Sequence, residues 1–284
     1  MSRAFYLAQG IAAGMLFGTS SIIIRFLPTL DAITIGFYRL IIAITMLIPI
    51  NILLLRETPR FLSENLPRLI MLGLLIGFHF IFFISAVKYT TILNTTVLVN
   101  TTPVITLVLS WIFLREPTST HRIIGLVLTL VGASSIALLE TIYSPGNLIG
   151  DLFAFLAAVF WAVYLMLGKP IRERGNVLVM MPVIYSISAI LLALSGFVVN
   201  SSIPIPSYKE LIFLLALAFL PTVLGHTLHF SSLKHLSAFQ TSTLALLEPV
   251  VATILAAVIF LEIPNAFFYI GAAVTMLGIY LVLR

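Results

Sequence analysis

Apolar residues fall into ten long runs along the chain, separated by short breaks that contain turn-forming or charged residues. A helix needs about 20 apolar residues to cross the hydrocarbon of a bilayer, and each run approaches that length. The pattern therefore predicts an all-α integral membrane protein with ten transmembrane helices. We number these predicted spans 1 to 10 and place them near residues 5–27, 32–55, 67–87, 91–114, 121–139, 148–168, 177–199, 209–230, 238–261 and 265–283.

Composition supports the same conclusion. The 284 residues are 61% apolar and 9% charged, which lies far outside the range of soluble domains and leaves no room for a separate one. The chain has no cysteine, which excludes disulfides and thiolate metal sites. The first apolar run has no small-residue cleavage site, so we interpret it as a retained span and not as a signal peptide.

Residues 86–132 match residues 232–278 at a constant offset of 146 positions. Matched proline, glutamate, lysine and glycine are not explained by apolar composition, so the match indicates an internal duplication. It predicts two five-span halves, residues 1–143 and 147–284. The matched pairs are Lys88 and Lys234, Pro103 and Pro249, Glu116 and Glu262, Gly125 and Gly271, and Gly132 and Gly278.

The distribution of lysine and arginine between the loops predicts the orientation of the chain. One face of the bundle collects eleven of these residues and the other face only Arg25, Lys88 and Lys209, with Arg39 inside span 2. We therefore expect both termini to be cytoplasmic in a plasma or inner membrane. The eleven are Arg3, Arg56, Arg60, Arg68, Arg115, Arg122, Lys169, Arg172, Arg174, Lys234 and Arg284.

Five spans per half is an odd number, so the second half enters the membrane from the opposite side. Two inverted copies around a central cavity are the usual construction of a secondary transporter, because exchanging their conformations opens the cavity to alternate sides. The glycines of both halves are assigned to close helix packing. They are Gly10, Gly14 and Gly18 in span 1, Gly125 and Gly132 in span 5, and Gly271 and Gly278 in span 10.

Two charged residues lie well inside predicted spans, Arg39 in span 2 and Glu248 in span 9. Each costs about 2.5–3.5 kcal/mol on insertion scales, so such residues usually face a cavity or a partner. Their opposite signs allow an ion pair. Arg39 is otherwise interpreted as bonded to the carbonyls of a broken helix. For Glu248 two interpretations stay open, a structural role and the coupling of proton movement to substrate movement.

Prolines break spans 4 and 9 next to polar residues. Pro103 follows Thr102, and Pro249 follows Glu248 at the matching position. Each proline removes one helical hydrogen bond, so we expect both helices to kink there. Helical spacing places Thr95 on the face of Thr102, and Thr241 on the face of Glu248. These polar faces predict a cavity wall, although each threonine could instead bond to its own helix.

Spans 3 and 8 add the histidines His79, His226 and His229, which could bond a substrate, carry a proton or simply satisfy a neighbouring helix. We predict no metal site, because no acidic residues stand at ligand spacing from them. Aromatic side chains well inside spans could complete the cavity wall, since aromatic belts lie at the membrane interfaces. These are Phe17, Phe83, Trp161 and Tyr164.

The sequence resembles the EamA family of the drug/metabolite transporter superfamily over essentially its whole length. The segments FGTSSIIIRF near Phe17, FYRLIIA around Arg39 and LEPVVATILAAVIFLE in span 9 carry the resemblance, together with the inverted halves. It implies a ten-span exporter of small metabolites, commonly amino acids, with a central cavity. Glu116 and Glu262 match acidic positions of the family and are interpreted as structural.

The related four-span multidrug exporters carry an essential acid in their first span, whereas residues 5–27 contain none. That difference disfavours a cationic-drug substrate and leaves Glu248 or a histidine for any proton coupling. We therefore predict a secondary transporter that exports amino acids or related compounds by alternating access. A broad-specificity drug or vitamin transporter is the alternative.

A membrane-embedded enzyme is the hypothesis from another class. The sequence contains no His-Glu-x-x-His motif and no nucleophile with a recognisable base, so we predict no enzymatic activity and no cofactor. The expected partners are a small-molecule substrate, membrane lipid and, as an open question, protons, without nucleic acid. One chain holds both halves, so a monomer suffices, and a dimer stays open.

Overall fold

A computed structural model describes residues 2–54, 59–90, 92–115, 118–138, 147–200, 202–261 and 266–284. All regular structure in these ranges is helical, and none of them forms a strand. We number the helices 1 to 10 after the predicted spans that they occupy. Glu116, Glu262 and the predicted domain boundary at residue 143 lie outside the described residues.

Seven of the numbered helices are continuous over the described ranges. Their bounds are Arg3–Arg25, Ala32–Leu54 and Pro59–Tyr89 for helices 1 to 3, Thr120–Leu138 for helix 5, Leu148–Arg174 and Val177–Asn200 for helices 6 and 7, and Ala266–Leu283 for helix 10.

Helices 4, 8 and 9 are each divided into segments. Helix 4 comprises Ile92–Val99, Thr102–Leu109 and a π-helical turn, Ser110–Leu114. Helix 8 comprises Tyr208–Leu217, a π-helical stretch, Ala218–His226, and Thr227–Ser232. Helix 9 comprises Ala238–Leu244, a 3₁₀ turn, Ala245–Leu247, and Glu248–Phe260.

Helices 1, 2, 3, 6, 7, 8 and 9 are long and apolar enough to cross a membrane. Two further apolar stretches, Thr102–Phe113 and Tyr269–Leu283, are shorter over the described residues, the first because helix 4 is interrupted before Thr102. The prediction of an all-α multi-pass membrane protein is therefore confirmed. The count of ten spans stays a prediction.

The 146-residue offset of the sequence recurs in the backbone. Arg115 and Leu261, which differ by 146 positions, are the two non-glycine residues of the described chain with positive φ, at 52° and 58°. They end helices 4 and 9 in the same left-handed conformation. Thr129 likewise donates to the carbonyl of Gly125 as Thr275 does to that of Gly271. Equivalent positions thus adopt equivalent local structure.

The contacts between helices also match when each helix is replaced by its counterpart in the other half. Helix 3 packs against helix 6 as helix 8 packs against helix 1, and helix 4 packs against helix 6 as helix 9 packs against helix 1. Helices 2 and 7 pair with each other, as do helices 5 and 10. The main hydrophobic core lies between helices 1, 2, 3, 6, 7 and 8.

Glycines allow helices 5 and 10 to approach at backbone distance. A Cβ added to Gly125 would lie 2.7 Å from the carbonyl oxygen of Gly278, and one added to Gly132 would lie 2.6 Å from that of Gly271. Because the residue order along one helix is reversed along the other, the two helices run antiparallel.

The predicted glycine ladder of helix 1 faces helix 9. Gly14 abuts the carbonyl oxygen of Leu244, and a Cβ added to Gly18 would lie 2.9 Å from the backbone nitrogen of Ala252. Gly10 packs against the side chain of Leu244. These two helices come from different predicted halves, so the ladder holds the halves together.

We expect Gly14→Leu to lower the melting temperature in detergent well below that of Ala8→Leu. Overpacking a well-packed interior costs about 1–3 kcal/mol, and here the clash is with backbone that cannot rotate away. Ala8 lies on the exposed side of the same helix and provides the matched control. Equal melting temperatures for the two variants would contradict the proposed packing role of Gly14.

Candidate substrate-binding cavity

A single cavity brings together most of the polar and aromatic residues singled out from the sequence. Of the twelve predicted substrate-binding residues, eight line it: Phe17, Arg39, His79, Phe83, Thr102, Trp161, His226 and Glu248. The kink residue Pro103 also lines it, and Pro249 follows Glu248. Thr95, Tyr164, His229 and Thr241 do not line it.

The cavity is small. The space open to the centres of water molecules is about 40 Å³. One water molecule needs about 10–15 Å³ by this measure, so only a few fit. The helices must therefore move apart before a metabolite can occupy the cavity.

The break in helix 4 supplies one wall. Pro103 lies in the first turn of the segment Thr102–Leu109, and the missing N–H leaves the carbonyl of Val99 without its helical partner. The hydroxyl of Thr102 donates to that carbonyl at 2.6 Å. Thr102 thus bonds to its own helix, as the simpler interpretation of the threonines expected, and still lines the cavity.

Glu248 enters the cavity from the break in helix 9. The 3₁₀ turn Ala245–Leu247 ends at this residue, so its carboxylate stands in the first turn of the segment Glu248–Phe260. The partial positive charge of a helix N-terminus favours an anion there. The side chain is buried, and its Oε1 atom has no hydrogen-bond partner among the residues that the structure describes.

Two further buried atoms of the cavity lining, Nδ2 of Asn100 and Nδ1 of His226, have no hydrogen-bond partner within the described part of the chain. Buried polar atoms are almost always paired with protein or ordered water. With Glu248 Oε1, the cavity therefore presents an amide donor, an imidazole nitrogen and a carboxylate oxygen that are all free to bond a solute.

Arg39 contributes the cation of the cavity. Its Nε and Nη2 atoms donate to Oγ1 of Thr222 at 3.0 and 2.8 Å, and its guanidinium centre lies 4.3 Å from the ring centroid of Phe80. Thr222 belongs to the π-helical stretch of helix 8, where its hydroxyl also donates to the carbonyl of Leu217. The tyrosine hydroxyl of Tyr185 donates to the carbonyl of Thr222 at 3.0 Å.

The ion pair between Arg39 and Glu248 allowed by the sequence is not formed in this structure. Among the described residues, ion pairs join Arg60 to Glu64 and Lys169 to Glu173. The guanidinium is instead held by a hydroxyl and an aromatic ring of helices 8 and 3. Both ionisable side chains consequently line the cavity without bonding to each other.

Aromatic rings form the rest of the wall. The ring of His226 lies 4.8 Å from that of Phe17 and 4.9 Å from those of Phe80 and Trp161, measured between centroids. His79 lies 4.7 Å from Trp161, and its Nδ1 is 3.0 Å from the carbonyl oxygen of Ala157. Because a carbonyl only accepts, that nitrogen carries the proton.

Three of the remaining predicted residues form a layer behind this wall. Trp161 stacks on Tyr164 and on His229, with centroids 5.4 and 5.3 Å apart. Nε2 of His229 donates to the carbonyl of Thr241 at 2.8 Å. This layer orients Trp161 without lining the cavity, and Thr95 is buried in helix 4 outside the lining.

The sequence prediction missed several residues of the lining, notably Phe80 and Asn100. The repeat held a signal for Phe80, which lies 146 positions before the predicted residue His226. It held none for Asn100, because the matching residue, Leu246, also lines the cavity but is apolar and was not predicted. The two halves thus contribute matching positions with different chemistry.

Comparison with known proteins gives the family. A family model described as the EamA-like transporter family matches residues 4–138 and, a second time, residues 148–284. The chain belongs to the EamA-like transporter family. The family resemblance seen in the sequence is therefore confirmed, and the protein is a multi-pass membrane transporter and not an enzyme.

Curated relatives agree with this assignment. The uncharacterized transporter YyaM of Bacillus subtilis is 30% identical over 231 residues, which cover 77% of this chain and 73% of the relative. An uncharacterized transporter of Archaeoglobus fulgidus is 25% identical over 276 residues, covering 95% and 94%. A solved crystal structure with 19% identity superposes with a TM-score of 0.84 over 99% of this chain and 98% of the other, which supports the fold.

We expect Thr222→Val to lower the melting temperature in detergent more than Thr45→Val. The first change removes the hydroxyl that accepts from the buried guanidinium of Arg39, and leaving buried donors unsatisfied costs about 1–3 kcal/mol. Thr45 is exposed on helix 2 and bonds only to the carbonyl of Ile42, so it is the matched control. Equal melting temperatures would contradict the role assigned to Thr222.

Proposed function

We propose that this transporter exports amino acids or closely related compounds through the cavity by alternating access. The observation that carries the proposal is the presence in one cavity of a guanidinium without an ion pair, a glutamate whose Oε1 atom has no partner among the described residues, and an aromatic wall. The family assignment makes the protein a transporter, and the chemistry of the lining supports this substrate class.

An amino acid offers a group for each part of the cavity. Arg39 has only donors and matches a carboxylate, which guanidinium groups bind well. The carboxylate of Glu248 matches an ammonium group. Phe17 and Trp161 offer apolar surface for a side chain, and their faces also attract cations. A solute that carries both charges uses both residues at once.

Alternating access is supported by the packing of the two matching halves. The antiparallel contact of helices 5 and 10 fits the inverted arrangement of residues 1–143 and 147–284. Arg3 donates to the carbonyl of Leu283 at 2.9 Å, so the two chain ends lie at one face, which we propose is cytoplasmic. We call it the terminal face.

At each face a lysine also donates a hydrogen bond to a backbone carbonyl at the end of a neighbouring helix. We call each of these bonds a lysine tie. Lys88 donates to the carbonyl of Leu27 at 2.7 Å at the end of helix 3. Lys169 donates to the carbonyl of Leu233 at 2.8 Å at the opposite, terminal face. We propose that these ties open in turn as the cavity is exposed to one side and then the other.

Glu248 has two candidate roles in this export. In the first, Glu248 couples export to proton movement; in the second, it only orients the substrate. A broad-specificity drug or vitamin transporter is a further candidate, because the aromatic wall suits flat apolar solutes as well. Transport measurements separate all three.

We expect counterflow of a labelled amino-acid mixture into proteoliposomes, with stronger accumulation when a pH gradient is imposed. If one proton moves per amino acid, a gradient of one unit supports accumulation of up to about tenfold. Glu248→Gln should lose the dependence on the gradient. Glu64→Gln removes an exposed carboxylate outside the cavity and should behave as wild type.

Each outcome of this measurement decides between the candidates. Flux that ignores the gradient in wild type and in Glu248→Gln identifies a facilitator with an orienting role for Glu248. Absence of amino-acid flux, together with flux of drugs or vitamins in the same vesicles, would contradict the proposed substrate class.

A further inference from the structure

Six buried polar side chains lie between the cavity and the terminal face. Five lie on helix 8 and one lies at the start of helix 9. We call this group the polar track; its members are His226, Thr227, His229, Ser231, Ser232 and Thr241, all buried.

The two ends of the polar track are fixed by contacts. At the inner end, His226 lines the cavity, as does Glu248. At the outer end, Nη2 of Arg172 donates to the hydroxyl of Ser231 at 3.0 Å. The guanidinium of Arg172 lies 6.0 Å from the ring centroid of Tyr6, near the start of helix 1. The track therefore spans from the cavity to the terminal face.

Three members of the track are joined by hydrogen bonds. Ser232 donates to the carbonyl of His229 at 2.7 Å, and its hydroxyl lies 3.2 Å from that of Thr241. The carbonyl of Thr241 in turn accepts from His229 at 2.8 Å. His229, Ser232 and Thr241 thus form one hydrogen-bonded cluster within the track.

Three atoms of the track nevertheless have no partner among the described residues: Nδ1 of His226, Oγ1 of Thr227 and Nδ1 of His229. At the inner end, Oε1 of Glu248 likewise has no partner among the described residues. Each of these side chains is more than nine-tenths buried. Buried polar atoms without a protein partner usually bond ordered water, which typically makes about three hydrogen bonds.

The first half of the chain retains little of the track, although its backbone follows the same plan. Thr241 of helix 9 corresponds to Thr95 of helix 4, which is also buried, whereas helix 3 differs from helix 8. The positions 146 residues earlier on helix 3 are almost entirely apolar, with one serine conserved in type. His226, Thr227, His229, Ser231 and Ser232 correspond to Phe80, Ile81, Phe83, Ser85 and Ala86. Helix packing alone does not require polar residues here, because helix 3 packs without them.

Titratable and charged groups surround the inner part of the track on every helix packed against it. Arg39 of helix 2, His79 of helix 3, Tyr185 of helix 7 and Glu248 of helix 9 approach His226 or Thr222 next to it. On the outer part, helix 6 contributes Tyr164 and Arg172, and helix 1 contributes Tyr6.

We propose that the polar track is a water path that connects the cavity, with Glu248, to the terminal face, and that the apolar side chains of helix 3 seal the cavity from the opposite face. The path widens when the transporter opens to the terminal face. This deepens the proposed function, on which the role of Glu248 rests, by stating from which side the cavity exchanges water and protons in the conformation described here.

The absence of cysteine from the chain makes the path testable one position at a time. We choose Ser232→Cys and Ala86→Cys, because these positions match in the repeat and are both 0% exposed. A membrane-impermeant, positively charged methanethiosulfonate is added to sealed right-side-out or inside-out vesicles, and the extent of labelling is followed by mass spectrometry.

We expect Ser232→Cys to react at least about tenfold faster than Ala86→Cys, because a thiol in apolar packing stays protonated and inert. The reaction should occur only from the terminal face. Equal rates, faster labelling of Ala86→Cys or labelling of Ser232→Cys from the opposite face would overturn the proposal.

A second variant guards against misfolding of the first. Thr227→Cys changes a hydroxyl that has no protein partner, so it should fold and react in the same way as Ser232→Cys. Failure of both folded variants to react overturns the water path even if amino-acid counterflow is intact. Labelling without amino-acid flux overturns the proposed substrate class and leaves the water path standing.

Discussion

The bilayer interior offers no water to unpaired polar groups, and this constraint determines how the protein builds its cavity. Helices 4, 8 and 9 are broken around the cavity, and at two of the breaks a threonine replaces the missing backbone partner. Thr102 donates to the carbonyl of Val99, and Thr222 donates to that of Leu217 while accepting from Arg39. The broken helices are stable because their freed backbone groups are satisfied locally. The atoms left without partners then mark where a solute or water can bind.

The two halves share the same backbone arrangement, but the side chains at their matching cavity positions differ. Helices 5 and 10 repeat the same glycine contacts, and both halves end their fourth helix in the same left-handed turn. The matching cavity positions differ, with Thr102 opposite Glu248 in the repeat and Phe80 opposite His226. A symmetric scaffold suits a transporter that must open to both sides, since each half can adopt the conformation of the other. Because the lining is asymmetric, the cavity presents different side chains to the two faces of the membrane and to the two ends of a bound substrate.

The sequence predicts the helices, the repeat and eight of the cavity residues, because apolar runs, prolines and buried charges are strong local signals. It does not predict the partner of Arg39, since that depends on the π-helical stretch which turns Thr222 toward helix 2. Nor does it separate the lining residue Trp161 from Tyr164 behind it, because helical periodicity gives a shared face but not its rotation against neighbouring helices. Asn100 is not predicted for a different reason: its partner in the repeat is a leucine, which gives no polar signal at that position.

The central claim is that substrate binds between Arg39, Glu248 and the aromatic wall, and Trp161 allows it to be measured directly. The chain has two tryptophans, and Trp111 is exposed on helix 4, so Trp111→Phe leaves Trp161 as the single reporter of the cavity. In that background, adding a transported amino acid should change the tryptophan emission saturably, and Arg39→Gln should abolish the change. Saturable flux of an amino acid without any response from Trp161, or a response that survives loss of Arg39 unchanged, would contradict the account.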